Sequence, residues 1–546
     1  MRAVFAGVVG LIACLAQSGI AQELRGVVRD SASHQPIPGA VLVLLDSAGA
    51  VLGRNITNDR GSYRLAMTPD IRRIQVLHIG FRRRDVTVPV ASSGIAQLDV
   101  TMAAIPTLLD PVSVTDRANC PRRADQAAAF ALWEQARSAL LATVVAREAN
   151  PANVVRLRFD RRMNGNGSDI INQTILMDSV STPRPFVAWR AASEFVERGF
   201  MTDSGKSRVF AAPDADVLLD EAFVAGYCFH IADPDSARPR EIGLAFAPAK
   251  TKRGRVEIEG AVWIDSTTPS LTRIAYRYVG VVGDAARFKP HGRIEFRSMA
   301  NGTVLIDRWF IRLGVVDTFG LTNGRILQGS LVQPHDIGGE VAAARWPDSL
   351  AWHGTLGAVR GRLSSGNGNG TIVRLLGTPY QTIADSSGLF EIPNLLPGPY
   401  TIGVVDPRLA VLGIVLKTGL EFTAVRDSTI SLFVEVPSAE RYMSETCEAD
   451  AETASPAVLT ARVNLPNGSP ASRAKVRIRL ANDANVEPVD GLTDRNGLFH
   501  LCHAPLGQLL EIRVVRDGLQ PVVALRRIDN ALVTMVLQMS NSASPR

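Results

Sequence analysis

Lysine is scarce in this chain. Lys206, Lys250, Lys252, Lys289, Lys417 and Lys475 are the only six among 59 basic residues. The rest are arginine, as in GC-rich bacterial coding, and the net charge of +6 is small for 546 residues. Arg82-Arg83-Arg84 and Arg161-Arg162 are short runs without interleaved aromatics. They read as solvated strand edges, and no nucleic-acid partner is expected. Beyond the first 21 residues no stretch is long and apolar enough for a transmembrane helix. There is no Cys-x-x-Cys for a zinc ribbon and no Gly-x-Ser-x-Gly elbow. Ser365 to Gly370 is glycine-rich but lacks the Lys-Ser/Thr of a phosphate loop, so it reads as a plain loop. Aromatics make up only 6% of the chain.

What is present is a folded composition, 46% hydrophobic and 21% charged, and a length suited to three to five domains of ~100–200 residues each. One pattern recurs three times: Thr57-Asn58-Asp59-Arg60-Gly61-Ser62-Tyr63, Ala384-Asp385-Ser386-Ser387-Gly388-Leu389-Phe390 and Thr493-Asp494-Arg495-Asn496-Gly497-Leu498-Phe499. Asn58, Asp385 and Asp494 can each accept hydrogen bonds from nearby backbone N–H groups. Gly61, Gly388 and Gly497 can each take the positive φ of a tight turn. An aromatic then opens an alternating run, such as Tyr63, Leu65 and Met67, which places one face on a core. Upstream strands are expected at Leu24 to Val28, Val359 to Leu363 and Leu459 to Val463. Recurrence of the whole strand-turn-strand unit marks a repeated module.

The chain here resembles the carboxypeptidase regulatory-like family. The residues that carry the likeness are Gly26-Val27-Val28, Pro38-Gly39-Ala40-Val41 with Val43, Asn58 to Tyr63, and Gly80-Phe81. The third copy adds Gly468, Pro470, Ala474-Lys475-Val476 and Asp494 to Phe499; the second lacks a clear Pro-x-x-Gly-Ala-x-Val segment. The resemblance implies a seven-stranded, transthyretin-like β-sandwich that serves as an accessory module in many proteins. The fold expected is therefore mainly β. Three such sandwiches, at 23–115, 353–437 and 447–540, surround a middle antiparallel sheet region at 120–345 with one amphipathic helix. Leu109 to Thr115 resembles the segment that joins such a module to the plug of TonB-dependent transporters. The chain left after it is too short for a plug and a 22-stranded barrel, so the likeness points to an envelope setting and not to transport.

Residues 1–21 read as a secretory signal, with Arg2 as the charged head, an apolar run from Ala3 to Ala16, and small residues at Gly19-Ile20-Ala21. The rival is a lipoprotein signal, because Leu11-Ile12-Ala13-Cys14 fits a lipid-attachment pattern. Export leaves Cys120, Cys228, Cys447 and Cys502, an even number that favours disulfides, with three connectivities open. Cys447 with Cys502 is the local pair and would close a loop of ~55 residues, worth roughly 3–4 kcal/mol. Cys120 and Cys228 would form the other. Cross-pairing of Cys447 with Cys120 or Cys228 is the competing arrangement.

The middle region opens with a helix predicted from Asp125 to Arg147, on which Phe130, Trp133, Ala136, Leu140 and Val144 make one apolar face. Asp125 suits the N-cap, and Asn150-Pro151 ends the helix. Strands follow at Val154 to Phe159, Ile171 to Met177, Phe186 to Arg190, Ile242 to Phe246, Val256 to Ile264, Leu271 to Tyr278, Ile294 to Arg297 and Val304 to Leu313. Val256 to Ile264 and Leu271 to Tyr278 read as a hairpin. A curved half-barrel of this kind could hold an apolar ligand, although a filled core is the default.

Chemistry-bearing motifs are few. His500 and His503 are three apart on an expected strand and should diverge. His291 and Glu295 lack a third ligand nearby, and Asp494 to Gly497 is explained by its turn without a calcium ion. No catalytic residue, metal ligand or cofactor is assigned. The function expected is an exported, non-catalytic envelope protein that binds or scaffolds through its modules. It would sit in the periplasm, at the outer-membrane periphery or outside the cell, with an envelope protein or polysaccharide as partner. The alternatives are a carbohydrate-binding protein that stacks sugars on Trp133, Trp189, Trp263, Trp309, Trp346 or Trp352, and an enzyme with its site in the middle region.

Overall fold

The computed structural model describes residues 22–89, 94–105, 120, 125–181, 192–203, 208–283, 286, 288–319, 329–347, 350–364, 370–436, 446–447, 457–483 and 485–541. The signal segment with Cys14, the Leu109 to Thr115 segment, the strand expected at Phe186 to Arg190, Trp189 and residues 365–369 lie outside the described residues. The chain is mainly β, 53% strand against 11% helix. It divides into two compact units: residues 1–158, 176–332 and 336–353 in one, residues 159–175, 333–335 and 354–546 in the other.

The first unit contains a sandwich of two sheets. In one, Gln22–Asp30 pairs antiparallel with Ser62–Met67 and parallel with Ile95–Gln97 and Val100–Met102. In the other, Val41–Leu45 lies between Val51–Ile56 and Arg73–Leu77. Leu24, Val28, Leu42, Leu44, Tyr63, Ile74 and Val76 fill the space between the sheets. All five residues of Val41–Leu45 are buried. Leu42 and Leu44 face the sandwich core, while Val41, Val43 and Leu45 pack with Leu141, Ala142 and Val145 of a long helix, Gln126–Ala149. The uninterrupted Val-Leu-Val-Leu-Leu run follows from that double burial, since neither face of the strand meets water.

The helix is covered on a second side too. Leu132, Trp133, Ala136, Leu140 and Val144 belong to the core of the middle sheet. The single apolar face expected from the periodicity is thus two faces, as befits a helix that is apolar nearly all round. Asp125 precedes the helix but makes no side-chain cap; its Oδ2 accepts the Ile231 N–H at 3.0 Å. At the other end the Asn150 N–H donates to the Ala146 carbonyl, and Arg147 pairs with Asp216. The middle sheet has ten strands. Consecutive strands from Tyr227–Ile231 through Glu241–Pro248, Glu257–Asp265, Ser270–Val279 and His291–Ser298 to Val304–Phe319 pair antiparallel. The expected hairpin is present, with Ile258 opposite Tyr278 and Val262 opposite Ile274. Three short helices, Ala192–Arg198, Ala215–Leu219 and Glu221–Gly226, join the long one, where one helix was expected. At five to seven residues they are too short to show a period in sequence.

The two faces of this sheet differ in chemistry. The inner face is packed: Phe195 stacks on Phe200 at 4.8 Å and Phe223 on Tyr227 at 3.9 Å, among Phe246, Ile258, Ile274 and Tyr276. The outer face carries ion pairs between strands: Glu259 with Arg277, Arg308 with Glu340 and Arg312 with Asp336 on neighbouring strands, and Glu241 with Arg273 across the strand between them. Arg273 also lies 4.3 Å over the Trp263 ring. Charges placed against lipid cost about 2–4 kcal/mol each at mid-bilayer, so this face suits water or a polar surface.

The second unit holds two further sandwiches of the same topology. Gly357–Leu363 pairs antiparallel with Leu389–Leu395 and parallel with Thr429–Val434. Ala457–Asn464 pairs antiparallel with Leu498–Ala504 and parallel with Leu532–Gln538. The second copy, whose early strands have no clear motif, still forms Ile372–Leu375 on Gly398–Val405. Leu409, Leu412 and Leu416 of the second sandwich pack with Leu532 of the third. Residues 159–175 also belong to this unit: Met163 and Ile170 enter the second sandwich's core.

Arg161 is the charged member of that segment and is only 4% exposed. Its Nε donates to Gln173 Oε1 at 2.6 Å, one terminal nitrogen to the Pro397 carbonyl at 3.1 Å, and its guanidinium lies 5.1 Å from the centre of the Phe159 ring. Arg161→Met keeps the stem but strands two acceptors, each an unsatisfied group costing about 1–3 kcal/mol. We expect a loss of about 2–4 kcal/mol in the denaturant transition of the second unit, whereas Arg360→Met on the exposed face should change it by under about 0.5 kcal/mol.

Candidate functional site

The recurrent turns have one shared geometry. Asn58 Oδ1 accepts the N–H groups of Arg60 and Ser62, both at 3.0 Å. Asp385 Oδ1 accepts those of Ser387 at 2.8 Å and Leu389 at 2.9 Å. Asp494 Oδ1 accepts those of Asn496 and Leu498, both at 2.8 Å. Gly61, Gly388 and Gly497 lie at φ 66°, 76° and 72°. Each glycine carbonyl then accepts the N–H of a first-strand residue: Val28, Leu363 or Val463. One side-chain oxygen thus closes the turn, and the glycine ties it to the sandwich. With Asp494 Oδ1 so engaged, the turn needs no ion to explain it.

A residue not singled out by the sequence reading completes the lock. Thr57 and Thr493 sit one before the Asx residue and are 1% and 2% exposed. Thr57 Oγ1 donates to the Ile37 carbonyl at 2.7 Å and accepts the Ala40 N–H at 2.9 Å. Thr493 Oγ1 does the same with the Ala471 carbonyl and the Ala474 N–H. These bonds pin the Pro-x-x-Gly-Ala segment of copy one and its counterpart in copy three. In copy two the position is Ala384, 1% exposed, and that motif is absent with its partner. The shared loss is the signal that could have revealed the threonine's role.

The cysteines form two bonds, Cys120–Cys228 and Cys447–Cys502. Cys228 lies on Tyr227–Ile231 and Cys502 on Leu498–Ala504. The second bond closes a separation of 55 residues, worth about 4 kcal/mol in the loop-entropy picture. The candidate histidines do not converge. His500 is half-buried with Nδ1 3.1 Å from Thr460 Oγ1, and His503 is exposed at φ 55°. His291 meets the edge of Phe310 at 5.9 Å, while Glu295 pairs with Arg293 at 3.4 Å. Among the described residues no three His, Cys, Asp or Glu side chains are grouped to hold a metal ion. Trp133, Trp263 and Trp346 are buried, which takes them out of sugar stacking.

A surface candidate stands out instead on the outer face of the second sandwich. Arg362 lies between Leu389 and Phe433 in the strand register, and Arg360 between Glu391 and Ser431. Phe433 is 66% exposed, Ile383 65% and Leu389 50%. Arg360 pairs with Glu391 at 3.1 Å. A shallow concavity of about 640 Å³ spans Arg360, Arg362, Thr382, Ile383, Leu389 and Glu391. The face is apolar at one row and charged at the next, a composition that suits protein contact.

The first sandwich carries a family match. Residues 23–103 match the carboxypeptidase regulatory-like domain. That regulatory-like domain spans both sheets from Gln22–Asp30 to Val100–Met102 and includes the first turn lock. No curated protein matches the chain. Among solved structures, the shaft pilin SpaA from Lactobacillus rhamnosus GG is 8% identical, with 35% of this chain and 100% of the pilin covered and a TM-score of 0.14. The Bacillus anthracis TIE protein is 10% identical over 62% of this chain and 64% of its own, with a TM-score of 0.14. The 3-chlorocatechol 1,2-dioxygenase from Rhodococcus opacus 1CP is 11% identical over 16% of this chain, with a TM-score of 0.13. This chain spans 59% of the dioxygenase's length.

The glycines give a graded test. A Cβ at Gly497 would meet the Val463 carbonyl oxygen at 2.5 Å, and one at Gly61 the Val28 oxygen at 2.7 Å; at Gly388 the nearest atom is 3.4 Å away. Gly388→Ala should cost about 1–2 kcal/mol from positive φ alone, and Gly61→Ala and Gly497→Ala distinctly more. Equal losses in chemical denaturation would refute the graded clash.

Burial also holds the His78 and His500 imidazoles below the usual histidine value, with Asp494 partly opposing the effect at His500. The unfolded chain protonates both near the ordinary ~6.5. Below that pH the unfolded state binds more protons, so stability is complete above about pH 6.5 and falls toward the lower folded values. Denaturant midpoints at pH 7.5 and 5.0 should diverge for the native chain and converge in a His78→Gln/His500→Gln variant.

Proposed function

We propose that the protein is an exported, non-catalytic scaffold of the bacterial cell envelope, which works by presenting β-sandwich surfaces to an envelope partner. The observation that carries this reading is the packed inner face of the middle sheet. The concavity where a half-barrel would bind a substrate is occupied by the protein's own Phe195, Phe200, Phe223 and Phe246, each at most 1% exposed. Exposed recognition chemistry lies on module surfaces instead, as on the Leu389–Arg362–Phe433 row. Two disulfides, and the absence among the described residues of a helix long and apolar enough to cross a membrane, are compatible with export. The buried tryptophans weigh against the carbohydrate-binding alternative.

The reading is tested in cells. The mature protein should begin at Gln22, fractionate with the envelope, and yield Cys120–Cys228 and Cys447–Cys502 peptides on non-reducing digestion. A photo-crosslinking residue at position 433 should give a discrete adduct that disappears when it is moved to buried position 402. An uncleaved cytoplasmic chain with free thiols would overturn export, and a lipidated Cys14 would replace the cleavage site while keeping the envelope. No discrete adduct from 433 would remove this face as the contact surface.

A further inference from the structure

In the second sandwich, the sheet that contains Gly357–Leu363 ends on Thr429–Val434, which has no strand on its other side. The Ala358 N–H donates to the Ser428 carbonyl at 3.0 Å, and the Ser364 N–H to the Val434 carbonyl at 2.9 Å. Even-numbered residues of this strand thus turn their backbone groups toward Gly357–Leu363. Alternation turns the N–H and C=O groups of Thr429, Ser431 and Phe433 outward. Among the described residues no hydrogen bond uses them. The strand holds no charge, proline or glycine, the residues that usually protect an edge.

Comparable edges are protected. In the first sandwich the equivalent strand is interrupted at Leu98-Asp99, where Asp99 Oδ1 accepts the Val27 N–H at 2.9 Å. In the third it runs on into Ser540–Asn541, which pairs with Leu519–Gln520. The edge strand of the second sandwich's other sheet, Leu416–Ala424, carries Lys417, Glu421 and Gly419 at φ 71°. Thr429–Val434 keeps a bare edge beside the Phe433 ring, which is 66% exposed. We propose that this edge takes an extended segment of a partner protein as an added strand. The proposal rests on the reading of this sandwich as a contact surface and adds the form of the contact. Unpaired donors and acceptors repeating at roughly 7 Å match extended backbone, which neither a sugar nor a lipid presents. The ends of the strand are acidic, because exposed Asp427 and Glu435 flank it. A second copy lying antiparallel about Ser431 would set Asp427 against Glu435 at both ends, and like charges placed opposite are destabilising. The matching segment is therefore apolar in its centre, against Phe433, and basic at both ends. Arg362 stands two strand spacings, roughly 10 Å, from that segment, so the acidic ends are nearer to it.

The test titrates the isotopically labelled chain, from Gln22 onward, with the peptide Lys-Thr-Val-Thr-Val-Thr-Val-Thr-Lys and reads amide shifts by NMR. Saturable shifts are expected at Thr429, Ser431 and Phe433, with smaller ones at Ile430 and Leu432, whose N–H groups face inward. N-methylation of the peptide's three valines removes the donors that meet the edge and should weaken binding at least about tenfold. Methylation of the two threonines between them, whose N–H groups point away, should change it by less than about threefold. Ser431→Pro deletes one outward N–H without breaking a bond to Gly357–Leu363, so it should keep the melting temperature and lose the shifts. No saturable shift at the three outward amides, or equal affinity for the two methylated peptides, would overturn the proposal. Exchange protection of those amides before peptide is added, rising with protein concentration, would place a second copy on the edge and overturn it too. An adduct from position 433 in cells without these shifts would keep the contact surface and remove strand addition. The shifts without an adduct would keep strand addition and remove the envelope contact.

Discussion

The constraint on which the first unit depends is the burial of one helix from two directions. Gln126–Ala149 is apolar nearly all round, so one sheet cannot shield it. The middle sheet takes the side with Leu132, Trp133, Ala136 and Leu140, and the regulatory-like domain takes the side with Leu141, Ala142 and Val145. The Gly80 N–H donates to Gln135 Oε1 at 2.7 Å within this contact, which satisfies a polar group that packing would otherwise strand. The domain's own strand Val41–Leu45 is buried on both faces, so removal of the domain would expose apolar surface on the helix as well as on the domain itself.

The same economy appears at the turns. An Asx oxygen with two N–H donors, a glycine at positive φ, and in two copies a buried threonine hydroxyl with a donor and an acceptor replace what would otherwise be unpaired backbone in a tight loop. The lock costs little sequence and leaves the outer strand residues free to vary. The second sandwich uses that freedom for an exposed Phe433 and Leu389, and the third uses it for an added disulfide. A sandwich built this way can change its outer surface without altering its core.

Charge is distributed by the same logic. Several arginines on the outer face of the ten-stranded sheet meet a carboxylate on a neighbouring strand, as Arg312 does with Asp336 and Arg277 with Glu259. Such pairs add little stability where exposed, but they give that face a polar surface. The lysine-poor, arginine-rich composition suits this role, because a planar guanidinium can bond two oxygens of one partner.

Local chemistry was legible in the sequence; partnership was not. The Asn58–Gly61, Asp385–Gly388 and Asp494–Gly497 turns, the alternating strands after them and the hairpin of Val256 to Ile264 with Leu271 to Tyr278 depend on residues close to each other in the chain. Near neighbours carry their own conformational preferences, so pattern alone exposes them. The regulatory-like fold at residues 23–103 was readable for that reason. The helix was also found, but as a helix with one apolar face, because the residues that cover its second face lie near position 43 and their contact leaves no period in the helix itself. Asp125 was read as a cap, yet its oxygen serves Ile231, more than a hundred residues away. Arg161 looked like half of a solvated basic pair, and only the packing of Gln173, Pro397 and Tyr400 around it makes it a buried anchor. The sequence by itself determined the three recurrent turns, the alternating strands beside them and the regulatory-like domain at residues 23–103. Only the tertiary structure decided which faces are closed, which arginines are paired and which strand edge is left open, because burial and ion pairing are set by residues that meet only once the chain has folded.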